Sequence, residues 1–166
     1  DTTYGTNGVT TMDFSNSNDE MLGGLAEDAS GKLIVSGYTG ASGGVKPALA
    51  KLTENGLPDS TFGTNGRLVI NDSQYFKDVA VGPDGKLLAV GTSNYYNGGQ
   101  FLLARLSANG TLDSTFGSGG LCVDAEYGEA EARKVVFQSD GKAVVLGYSI
   151  DQPTGKRSFT TMRLNL

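Results

Sequence analysis

Two groups of side chains in this sequence have types and spacings suited to ligand chemistry. Tyr95, Tyr96 and Asn97 sit together in the Gly-flanked stretch SNYYNGGQ. Exposed rings beside amides suit sugar binding: the ring lies on the apolar face of a pyranose while the amide bonds its hydroxyls. Loop tyrosines also anchor protein partners. Tyr75, just before Phe76, and Tyr127, between Glu126 and Glu129, read as exposed rings of the same kind. The second group is DQPTGKRS (151–158), where Asp151, Gln152, Lys156 and Arg157 form a charged loop suited to a carboxylate.

Other chemistries are less well supplied. Asp124, Glu126, Glu129 and Glu131 cluster in sequence, and paired carboxylates can cleave glycosidic bonds. They fall in one stretch read as a solvated loop, with no acid set apart by its environment. A carboxylate-based hydrolase is therefore the least favoured reading. The absence of His removes His triads, His bases and His metal ligands. The single Cys122, in GGLCVDA, reads as a small hydrophobe. SNSNDE (15–20) and ENGLPDSTFGTNG (54–66) are rich in oxygen but lack calcium-loop spacing. No metal, no cofactor and no enzymatic activity are expected.

Composition narrows the partners. The formal net charge is −5, and the 13 Lys and Arg are scattered singly. Nucleic acid and anionic membranes, which need clustered cations, are not expected. No apolar run approaches the ~18 residues of a membrane span, so no membrane insertion is expected. Asn71 and Asn109 begin glycosylation sequons (NDS, NGT).

The elements that must position these residues come from a repeat. DTTYGTNG, DSTFGTNG and DSTFGSGG begin at Asp1, Asp59 and Asp113, spaced 58 and 54 residues apart. ASGKLIVSGYT, PDGKLLAVGTS and SDGKAVVLGYS follow in register, as do ALAKLTENG, LLARLSANG and TTMRLNL. One repeat domain spans 1–166, with units 1–58, 59–112 and 113–166. Each unit offers four short runs rich in Val, Leu, Ile and aromatics, bounded by Gly, Asn, Asp and Ser. The first unit offers Val9–Phe14, Met21–Glu27, Lys32–Thr39 and Pro47–Thr53. The second offers Arg67–Asn71, Phe76–Gly82, Lys86–Thr92 and Phe101–Ser107. The third offers Leu121–Ala125, Arg133–Gln138, Lys142–Ser149 and Phe159–Leu164. Asp84-Gly85 and Asp140-Gly141 mark hairpins, with Ser30-Gly31 as the first copy's version. Four strands in about 55 residues at a fixed period make a propeller blade. The expected fold is all-β: three four-stranded antiparallel blades per chain.

The acidic box DSTFGTNG precedes a strand and lacks the Lys-Ser/Thr ending of a phosphate loop. It reads as scaffold. Asp59 closes an Asx turn, Phe62, like Tyr4 and Phe116, plugs a gap between strands, and Gly63 and Gly66 supply positive φ.

The string LPDSTFGTNGRLVI…DVAVGPDGKLLAVGTS…FLLARLSANGTLDSTFG resembles the bacterial delta-60 repeat family, in three copies. The resemblance implies propeller blades in tandem within extracellular or envelope proteins, and it carries no catalytic residues. Similarity to NHL-type blades implies that Met21–Glu27, Phe76–Gly82 and Arg133–Gln138 are innermost, and that the strand after each acidic box is outermost.

That phase leaves the last blade without an outer strand and the N-terminus with a spare one. Three blades are too few for a ring of the usual ~4–8. Either two chains exchange strands into a six-bladed homodimer, or the chain is part of a longer propeller. The hairpin turns and acidic boxes fall on one uniform face. The other face carries loops that differ in every copy, where specificity is best placed. The leading expectation is a non-enzymatic recognition module, extracellular, cell-surface or periplasmic, binding glycan or surface protein through the divergent loops. The alternative is a purely structural, self-assembling domain.

Overall fold

The computed structural model describes residues 1–14, 20–41, 44–71, 74–93, 98–124 and 129–166. Eleven strands run in chain order among them. They are β1 (Glu20–Glu27), β2 (Leu33–Ala41), β3 (Gly44–Leu52), β4 (Arg67–Val69), β5 (Gln74–Val81) and β6 (Leu87–Ser93). Then come β7 (Gln100–Leu106), β8 (Leu121–Asp124), β9 (Glu129–Phe137), β10 (Ala143–Asp151) and β11 (Lys156–Leu164). Two antiparallel four-stranded sheets follow sequence order, β1-β2-β3-β4 and β5-β6-β7-β8. In the third sheet β10 pairs with β11, and β9 runs beside β10. Each sheet that has a fourth strand takes it from beyond the next acidic box, as the repeat phase requires.

The hairpins behave as their sequences dictate. Gly31, Gly85 and Gly141 sit at φ 78°, 75° and 81°, where a side chain would be strained. A second glycine position was not read from the sequence. Gly37, Gly91 and Gly147 lie mid-strand in β2, β6 and β10. A Cβ at any of them would run into the carbonyl oxygen of Met21, Tyr75 or Glu131 respectively. The register of β1 and β5 shifts just there, between Leu22 and Leu25 and between Phe76 and Asp78. The bulge drives a carbonyl toward the second strand, and only glycine leaves room.

The sheets stack face to face. Ile34 and Leu49 of the first sheet meet Phe76, Val79, Leu87, Ala89, Leu102, Ala104 and Leu106 of the second. Leu88, Val90, Phe101 and Leu103, on the opposite face of the second sheet, meet Ala132, Val135, Ala143 and Val145. Every sheet thus has a rear face toward its predecessor and a forward face toward its successor. Strand β6, packed on both faces, is buried at all seven positions, whereas β10 alternates. Along one edge β1, β5 and β9 lie side by side. Gly23 lets the β1 backbone close on that of Phe76 and Lys77.

Two expectations are corrected. Val9–Phe14 is not a strand: beyond a single Thr6–Val9 bridge it has no ladder. A strand needs a neighbour to bond, and within the described residues this segment has none. Instead Thr10, Met12 and Phe14 lie over the rear face of the first sheet, enclosing about 150 Å³ with Val35, Ala48, Ala50 and Leu52. The third sheet, expected to be four-stranded once its outer strand is supplied, shows β10 paired with β11 and β9 beside β10 among the described residues. Finally, β9 begins at Glu129, four residues before the predicted Arg133, because Ala130 and Ala132 pack in the core between the second and third sheets.

Candidate functional site

The sequence-predicted residues divide three ways. Tyr95, Tyr96, Asn97 and Tyr127 lie outside the described residues. Tyr75 is not the exposed ring expected. It is 6% exposed, its ring tilted at 48° against that of Tyr38 with the centroids 5.3 Å apart. Its hydroxyl donates to Glu131 Oε2 at 3.4 Å, and Lys77 Nζ lies 4.6 Å from its ring centroid. Tyr75 begins an inner strand, so its ring faces the neighbouring sheets. Glu131 is corrected with it: this carboxylate is buried on β9, not in a solvated loop, and Arg133 Nε holds it at 2.9 Å.

Asp151, Gln152 and Arg157 do share the exposed β10–β11 hairpin. Asp151 is committed to its own turn: its Oδ2 accepts from Thr154 Oγ1 at 2.6 Å, and its carbonyl accepts from Gly155 N–H at 2.7 Å. Arg157 lies 4.8 Å over the Tyr148 ring, and Arg133 reaches the same ring at 5.4 Å. Cys122 is half-buried against the second core cluster. Burial, helped by Asp124, pushes its thiol pKa up, which makes it a poor nucleophile.

What the structure brings together is a pair of open faces. Phe101 and Phe159 hold the same position on the third strand of successive sheets, opposite Thr92 and Tyr148. Phe101 is fully buried and Phe159 is 92% exposed. Leu146, the equivalent of buried Val90, is open beside it, as is Val136. The rear face of the first sheet mirrors this. Leu22 is 84% exposed where its equivalent Phe76 is 1%, and Leu25 is open where Val79 is sealed. Sequence reasoning missed both faces, because alternation alone does not say which apolar residue lacks a neighbour.

The two faces differ in charge. Lys77 of the second sheet and Arg133, Lys134 and Arg157 of the third line a hollow with Leu146, Tyr148 and Phe159; Arg133 pairs with Glu131 and Lys134 with Asp78. On the first sheet Glu20 and Glu27 share the rear face with Leu22 and Leu25, because they stand opposite Thr39 and Leu33 in the ladder. Each face is therefore an apolar centre with flanking charged side chains, cations and their partner carboxylates on one and Glu20 and Glu27 on the other.

The acidic boxes bind adjoining sheets. Asp59 Oδ1 accepts from Thr61 N–H and Oγ1 at 3.0 and 2.7 Å, which is the expected Asx turn, and Oδ2 takes Lys32 Nζ at 2.8 Å. The Lys32 and Thr61 bonds, working against burial, lower its pKa to about 2. Asp113 repeats the arrangement with Lys86 and Thr115, and its pKa is likewise held well below the usual carboxylate range. Phe62 is fully buried between the first two sheets, while its counterparts Tyr4 and Phe116 are half-buried.

An all-β stack of antiparallel sheets, with hairpin glycines and acidic boxes at a fixed phase, defines β-propeller-type repeats. Residues 29–62 and 82–116 match a family model described as "Domain of unknown function (DUF5122) beta-propeller". Each match spans the second strand, the third strand and the first half of the following acidic box, up to Phe62 or Phe116. No curated protein matches the chain.

Proposed function

We propose that this chain is a non-enzymatic β-propeller module whose working form is a ring of two copies. Its three delta-60-type repeats form half of a six-bladed ring. The carrying observation is the contrast between Phe101 and Phe159: the same repeat position is fully buried in one sheet and 92% exposed in the next. Large exposed apolar patches rimmed by charge mark interaction surfaces. Phe159, Leu146 and Val136 on one copy match Leu22 and Leu25 on the other. Lys134, which pairs with Asp78 within the chain, then meets the side carrying Glu20 and Glu27. A heterologous contact made twice about a two-fold axis closes, leaving no open face.

Light scattering tests this. The expected mass is twice the 17.2 kDa of the chain, and Phe159→Asp should return it to one. A wild-type monomer at tens of micromolar would overturn the reading.

The ring presents the loops that differ between repeats on one side. In an extracellular or envelope protein of a bacterium, that side recognises glycan or a surface protein. The observation favouring this second role is the β10–β11 hairpin, where Arg157 is held over Tyr148 with its charge open to solvent. On a glycan array, Tyr95→Ala with Tyr96→Ala, and separately Arg157→Ala, should abolish binding; unchanged binding by both would reject these loops.

A further inference from the structure

Each acidic box inside the chain is fastened to the sheet before it by three bonds. Asp59 N–H donates to Lys51 O at 2.9 Å, Lys51 N–H donates to Gly66 O at 2.9 Å, and Lys32 Nζ reaches Asp59 Oδ2 at 2.8 Å. The next box repeats them: Asp113 N–H to Arg105 O and Arg105 N–H to Gly120 O, both 2.9 Å, with Lys86 Nζ to Asp113 Oδ2 at 2.8 Å.

The first box, Asp1–Gly8, has the same internal fold. Thr3 N–H and Oγ1 donate to Asp1 Oδ1 at 2.8 and 2.7 Å. Gly8 N–H closes on Tyr4 O at 2.9 Å, as Gly66 N–H does on Phe62 O. Its forward contact is also made: Gly5 N–H donates to Asn55 O at 2.8 Å, as Gly63 N–H does to Asn109 O at 2.9 Å. Among the described residues its rear contact has no counterpart. No cation meets Asp1 among the described residues.

The third sheet lacks the complementary half. Lys142 and Arg163 are the repeat equivalents of Lys32 and Lys51. In the first sheet Asp28 holds Lys51 at 2.8 Å and leaves Lys32 for Asp59; in the second Asp84 holds Arg105 and leaves Lys86 for Asp113. In the third Lys142 turns back onto Asp140 of its own hairpin. The segment behind the first box is also in place. Thr10 and Met12 lie over the rear face of the first sheet, as their equivalents Leu68 and Ile70 pack in the cluster between the first and second sheets. The segment has an outer strand's position without a sheet to join.

We infer that the first acidic box of one copy docks on the β10–β11 edge of a second copy: Asp1 takes Lys142, the Arg163 backbone bonds Asp1 and Gly8, and the segment from Val9 pairs with β11. The occupant is a second copy because both halves of the contact are written into the same repeat as the two joins inside the chain. This rests on the two-copy ring proposed above but specifies how the ring is fastened.

Charge exchange tests it by sedimentation. Asp1→Lys and Lys142→Asp, each alone, should weaken the dimer about tenfold or more. The two together in one chain should recover to within about threefold of wild type. Lys142→Met, which leaves the box untouched, should weaken it similarly. In hydrogen exchange, amides between Thr10 and Met12 should gain protection as protein concentration rises. A dimer indifferent to all three variants, with unprotected amides, overturns this fastening and leaves the ring standing. A wild-type monomer overturns both.

Discussion

Lys32 and Asp59, 27 residues apart, form an ion pair of 2.8 Å that joins the hairpin of one repeat to the acidic box of the next. The carboxylate is almost fully buried while the ammonium is about one-third exposed, so removing Lys32 strands a buried charge, whereas removing Asp59 releases a cation that can hydrate. Asp59 also closes its own turn through Thr61. Asp59→Ala loses both and should cost about 2 kcal/mol. Asp59→Asn keeps the turn and should cost less than about 1 kcal/mol. Urea unfolding of the two variants at neutral pH separates the contributions, and equal losses would mean that the turn is irrelevant.

The same pair sets a pH dependence. Folding lowers the Asp59 pKa to about 2, through Lys32 and Thr61 against burial. Its contribution is present above about pH 4, the ordinary carboxylate value, and fades as pH falls toward 2. The Lys32 pKa is raised from 10.5 by Asp59. That contribution is full below 10.5 and fades only as pH rises through the raised value. Melting temperature should hold from about pH 5 to 9 and drop below 4. The acid drop should shrink in Asp59→Asn.

How much of this was legible beforehand depends on the residue. Gly31, Gly85 and Gly141 announced hairpins because glycine's conformational freedom is a local property. Ile34, Leu88 and Val145 announced strands because they stand in short runs of Val, Leu and Ile bounded by Gly, Asp and Ser. Val9–Phe14 has the same local pattern and is not a strand, since pairing depends on a neighbour rather than on its own residues. Tyr75 misled for the same reason: a ring at the start of a strand is exposed or buried according to which sheet lies beside it. Phe159 could have been flagged only by comparing repeats, because its identity matches the buried Phe101.

The mid-strand glycines give a sharper test of packing. Gly91 faces the Tyr75 carbonyl at the β5 bulge with no room for a methyl group. Gly91→Ala should cost about 1–3 kcal/mol by overpacking. Gly147→Ala, facing the Glu131 carbonyl, should cost a similar amount. Thermal unfolding measures both. A neutral Gly91→Ala would mean that the bulge can relax, which its position between two packed sheets argues against.

Phe62 links the acidic box to the core, fully buried among residues of the first two sheets and against Gly110. Phe62→Ala should cost about 3–5 kcal/mol. Tyr4→Ala, at the half-buried counterpart, should cost clearly less in the monomer. Denaturant midpoints of the pair show whether burial, rather than the box motif itself, carries the energy.

Phe101 and Phe159 allow the last test, because position and residue type are shared while the surroundings differ. Phe101→Ala empties a fully buried site between the second and third sheets, so it should cost about 3–5 kcal/mol at any protein concentration. Phe159→Ala removes a ring that touches little within one chain, so the stability of the isolated chain should hardly change. Its effect should appear in concentration dependence. Wild-type melting temperature should rise with protein concentration, since association stabilises by mass action, and the Phe159→Ala curve should be flat. Parallel, concentration-independent curves for wild type and Phe159→Ala would leave the exposed ring without a partner of its own kind.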